Sequence, residues 1–152
     1  MSDSLELEQQ KRILLEELIY RKTKEKYRYY EPIGKTEEFL NKLGGCNYLA
    51  SAYIAANGVG KTAAIANIVA NLCFPSENKY FQQKLFQDFP FPLKAGRIVS
   101  DPTTVKETLI PTLKEWLPAG RYSLAKESKS YEYKWTTDTG WTWDIMTFEQ
   151  AP

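Results

Sequence analysis

Histidine is absent from all 152 residues. That gap removes imidazole acid–base chemistry and every histidine-containing metal site. Cysteine is scarce: Cys46 and Cys73 stand far apart and belong to no Cys-x-x-Cys spacing. They read as two reduced thiols of a cytosolic protein, not as a zinc site or a disulfide framework. No apolar run approaches the roughly 20 residues of a membrane span. Met1-Ser2-Asp3-Ser4 leads into a charged helix, where a signal peptide would carry an apolar segment. The expectation is a cytoplasmic protein without a membrane partner. Excess charge is missing as well, with 20 Lys and Arg against 19 Asp and Glu and a net charge of +1. That balance selects no class of partner, because a local patch is compatible with a neutral total.

What is present fits a folded chain. Hydrophobic residues make up 43% and the mean hydropathy is −0.48, so one domain, or part of one, has material for a core. The chain is organised around Ala55-Ala56-Asn57-Gly58-Val59-Gly60-Lys61-Thr62. The apolar run Tyr48–Ile54 precedes it and the Ala-rich stretch Ala63–Leu72 follows. Strand, glycine-bearing turn and helix is the context a phosphate-binding loop demands. Gly58 and Gly60 let successive backbone N–H groups face one concavity that holds phosphate oxygens. The helix from about Lys61 adds its unpaired amides and the positive end of its dipole. Lys61 would reach the β- and γ-phosphates, and Thr62 would offer its hydroxyl to Mg²⁺. Ala55 stands where the consensus G-x-x-x-x-G-K-[ST] has its first glycine, a mild change, since alanine tolerates most turns but not positive φ.

Ser4 to about Arg28 predicts one amphipathic helix, with Leu7, Leu14, Leu15, Leu18 and Ile19 at helical spacing. Acidic residues come early and basic ones late, which suits the helix dipole; the basic end reads as a solvated face before a DNA contact. Pro32 closes this segment. Thr36–Leu43 predicts a short helix ended by Gly44-Gly45, and the helix after the loop ends at Pro75. Asn78–Asp88 allows another short helix. Arg97–Ser100 predicts a strand, followed by a helix to about Leu117 with Asp101 as cap and Pro102 at its first position. Asp101 also stands at a strand end, where ligands bind in such sheets, though capping explains it more simply. Tyr131, Tyr133 and Trp135, then Trp141, Trp143 and Ile145, alternate with polar residues on either side of Asp138-Thr139-Gly140. This predicts a β-hairpin pairing Thr137 with Trp141, Trp135 with Trp143 and Tyr133 with Ile145, its odd-numbered residues on the packed face. The aromatics read as cross-strand packing in preference to base stacking.

These residues together resemble the ATPase part of phage terminase large subunits, the motors that package viral DNA. The sharp part of the resemblance is Ala55–Thr62 with its Ala-rich helix. Glu31-Pro32 with Glu38-Phe39-Leu40, the strand Gly96-Arg97-Ile98-Val99 with its following helix, and the aromatic hairpin support it. The resemblance implies an α/β fold: an incomplete P-loop NTPase sheet of the ASCE type, with N-terminal helices over residues 1–45 and the ATPase portion over 46–152. It implies ATP and Mg²⁺ as cofactors. Ala55, Asn57, Gly58, Val59, Gly60, Lys61, Thr62 and Ala63 would bind the nucleotide, Lys61 would also act in catalysis, and Thr62 would hold the metal. The implied partners of the intact motor are double-stranded viral DNA, a portal ring, a small terminase subunit and further copies of itself, in the cytoplasm of a bacterial host.

Three departures qualify what this chain is expected to do alone. Members often carry an arginine at the position of Gly58 that stabilises transition-state charge; Arg97 and Arg121 are the substitutes offered here. The glutamine expected near Thr36–Glu37 to hold adenine is missing. An apolar strand ending in Asp-Glu should follow the hairpin, beside the strands already named, and the nearest approach is Ile145-Met146-Thr147-Phe148-Glu149. The chain is therefore read as an N-terminal fragment, without a nuclease domain, that binds nucleotide and hardly hydrolyses it. Two other classes stay open: a non-hydrolysing nucleotide-binding module such as a decayed prophage product, and a P-loop ATPase or kinase of another branch.

Overall fold

The computed structural model describes residues 2–44, 54, 60–75, 85–86, 93–126 and 133–149. Among them the chain is mixed α/β. Helices α1 (Ser2–Lys24), α2 (Lys26–Tyr29), α3 (Lys35–Gly44) and α4 (Lys61–Cys73) precede strand β1 (Ala95–Ser100). Then come α5 (Pro102–Thr104), a π-helical turn (Val105–Leu109), α6 (Ile110–Trp116), and strands β2 (Tyr122–Lys126), β3 (Tyr133–Thr137) and β4 (Thr142–Thr147). The strands form one sheet in the order β1-β4-β3-β2. β1 and β4 are parallel, and the other two pairs are antiparallel.

The hairpin has the expected register. Trp135 faces Trp143 and Tyr133 faces Ile145, while Thr137 N–H donates to the Trp141 carbonyl at 2.9 Å. Gly140 supplies the left-handed residue of the turn at φ 87°, a conformation that costs glycine little. Side chains alternate across a strand, so this register puts Trp135, Thr137, Trp143 and Ile145 on one face, and all four are buried. Helix α4 covers that face with Ala66, Val69, Ala70 and Cys73. Its small residues permit close approach to a sheet already filled by indole rings. β2 has no counterpart among the strands the sequence predicts. Its two apolar anchors, Tyr122 and Leu124, are too few for a clear period, and the strand is recruited by pairing with β3. There Tyr122 meets Trp135 with ring centroids 4.8 Å apart.

The helix after β1 starts as expected and then deviates. Pro111 has no amide hydrogen to give the carbonyl four residues back, and its ring crowds that carbonyl. The chain widens locally, and the N–H of Ile110 reaches the carbonyl of Val105. This π turn keeps Val105, Leu109, Ile110 and Leu113 in the core despite the proline.

The N-terminal segment differs from the single helix expected. α1 ends at Lys24, Glu25 leaves helical geometry at φ −116° and ψ 51°, and α2 follows. Tertiary contacts account for the break. Tyr27 is buried, Tyr30 meets the edge of Trp116 at 5.2 Å, and Lys26 pairs with Glu115 at 2.6 Å. A continuous helix would rotate these groups away from the body. The apolar residues of α1 do not pack on that body: every side chain described from Leu5 to Lys24 is exposed.

Candidate functional site

Gly60 caps the start of α4 in the left-handed region, at φ 81° and ψ 21°. A side chain there would meet no atom but would be strained by the backbone angle. The helical ladder begins with the N–H of Ala64 donating to the Gly60 carbonyl at 2.9 Å. The amides of residues 61–63 therefore precede the ladder, at the positive end of the helix dipole. Gly60 offers no side chain to cap them. Lys61, Thr62 and Ala63 are half-buried in this first turn, and Ala63 packs against the core. Ala55, Asn57, Gly58 and Val59 lie outside the described residues, as does the run 48–53.

The other end of α4 is tied to the sheet. Trp143 Nε1–H donates to Cys73 Sγ at 3.1 Å, near the start of β4. Burial pushes the Cys73 thiol up to about 12. It stays protonated at neutral pH, so Cys73 is a core residue and not a nucleophile.

Parallel pairing brings the C-terminal ends of β1 and β4 together. Ser100 is the partner of Thr147, and Phe148 N–H continues the ladder by donating to the Ser100 carbonyl at 3.1 Å. Asp101 directly follows β1, and Glu149 follows β4 one residue beyond Phe148. Asp101 caps the following helix: its Oδ1 accepts from Thr104 N–H at 2.8 Å, and its hydrogen bonding with Thr104 holds its pKa below the usual value. Glu149 is exposed. Sequence reasoning placed a carboxylate-bearing strand beside β1 only after the hairpin. In the structure the hairpin's own second strand takes one side of β1. The unbroken run Ile145-Met146-Thr147 was the available signal, because it is more apolar than the outer strand of a solvated ribbon requires.

The two arginines offered as charge stabilisers are elsewhere. Arg121 grips Asp138 through Nε at 2.6 Å and Nη2 at 3.0 Å and lies over the Phe74 ring at 4.7 Å. Asp138 belongs to the hairpin turn, before β4 begins, so Arg121 is at the opposite edge of the sheet from Asp101 and Glu149. The length of β4 separates the two edges by about 16 Å. Arg97 lies within β1 opposite Asp144. Alternation puts it on the face away from Ile98 and α4.

No protein-family model, curated protein or solved structure matches this chain. Among the described residues no three carboxylate or thiol side chains gather as a metal site. No described helix is long and apolar enough to cross a membrane.

Proposed function

We propose that this chain is the nucleotide-binding portion of an ATP-driven motor of the terminase type, built on a P-loop NTPase sheet. The observation that carries the reading is the left-handed Gly60 directly before Lys61-Thr62 at the start of a sheet-packed helix. It is the local geometry a phosphate loop needs at its last glycine, because the chain must turn there for its amides to face one anion. Lys61 supplies a charge-assisted contact to the β- and γ-phosphates. The Thr62 hydroxyl is an oxygen donor of the kind Mg²⁺ takes alongside phosphate oxygens, and bound metal would neutralise charge on the β- and γ-oxygens. The reading requires α4 to run antiparallel to β4, from Lys61 near the edge that bears Ser100 and Thr147 to Cys73 near Trp143. Double-stranded DNA, a portal ring, a small terminase subunit and a bacterial cytoplasm belong to this proposal as partners and place of the intact motor.

Binding and turnover separate in this reading. The phosphate contacts are local to one turn. Hydrolysis needs a carboxylate that orients water and an arginine that takes up developing charge. Asp101 is committed to capping and Arg121 to Asp138, which leaves Glu149 as the carboxylate at the strand-end edge. The same commitments favour, as a second reading, a module that holds nucleotide without consuming it. Titration calorimetry with Mg-ATP beside a phosphate-release assay tests both. Weak binding, lost in Lys61→Ala, with release near background is expected. Absence of any binding by the intact chain rejects both readings. Steady release that disappears in Glu149→Gln rejects the second and assigns Glu149 to the chemistry.

A further inference from the structure

We draw no further inference here: the strongest candidate, the basic patch of Arg21, Lys22, Lys24, Lys26 and Arg28 at the junction of α1 and α2, has Arg21, Lys26 and Arg28 already paired with Glu17, Glu115 and Glu25, and nothing in the structure shows what its exposed Lys22 and Lys24 would hold.

Discussion

Trp143 lies across Gly96. The two are paired neighbours on β4 and β1, and a Cβ at position 96 would stand 2.6 Å from Cε3 and 2.7 Å from Cη2 of the indole. The ring that closes on this glycine also donates to Cys73 on α4. One side chain therefore ties the parallel pair to the helix that starts with Lys61. Gly96→Ala must displace it, and a cost of roughly 1–3 kcal/mol is expected from overpacking, read as a lower urea midpoint. Gly96→Ala made together with Trp143→Leu should cost less than the two changes summed. Additive costs would show that the ring and the glycine do not meet.

The buried thiol makes stability depend on alkaline pH. The Cys73 pKa is raised from 9.0 to about 12 by burial. The unfolded chain therefore loses this proton first, and the contribution of the buried thiol is whole below about pH 9. It falls as pH rises toward the folded value. Denaturant titrations of wild type and Cys73→Ala at several pH values isolate the effect as a difference. Wild-type stability should decline more steeply over that window, and parallel curves would reject the burial argument.

Asp101 titrates in the opposite sense. Its hydrogen bonds with Thr104 hold its pKa below the ordinary value of 3.8, so the cap contributes above that value and fails as pH falls through the folded one. Asp101→Asn should retain most of the cap and remove its acid dependence, whereas Asp101→Ala should lower the melting temperature at neutral pH. Equal melting of the aspartate and alanine forms at neutral pH would show the cap to be idle.

Arg121 and Lys61 should separate in a nucleotide titration. Arg121 is held by Asp138 at the hairpin edge, so Arg121→Ala is expected to lower thermal stability and leave Mg-ATP affinity unchanged. Lys61→Ala should remove binding without moving the melting temperature of the nucleotide-free chain, and Thr62→Ala should weaken binding mainly when Mg²⁺ is present. Loss of affinity in Arg121→Ala would return that residue to the list of charge stabilisers.

Local chemistry made much of the chain legible. Gly60 before Lys61, Asp101 before Pro102 and Gly140 in a three-residue turn are backbone requirements met by single residue types, so they can be read without knowing what lies across the molecule. The hairpin register followed for the same reason. A turn length and a period of two leave one pairing that buries Trp135, Trp143 and Ile145 together. The proposed loop residues Ala55–Val59 lie outside the described region, and their part of the site rests on the motif.

Other features depended on partners distant in sequence. Nothing in Ile145-Met146-Thr147 states that its neighbour is β1, because parallel pairing is set by how α5, α6 and α4 fill the space over the sheet. The commitment of Arg121 to Asp138, the break at Glu25 and the recruitment of β2 likewise come from contacts made only after the chain has folded back on itself. The sequence by itself determined where the backbone must turn, where helices start and which strand faces are apolar. Those are properties of a few adjacent residues. The tertiary structure decided which strand lies beside which and which charged groups are engaged in holding the fold. Those choices depend on packing one set of surfaces against another, and no local propensity contains that information.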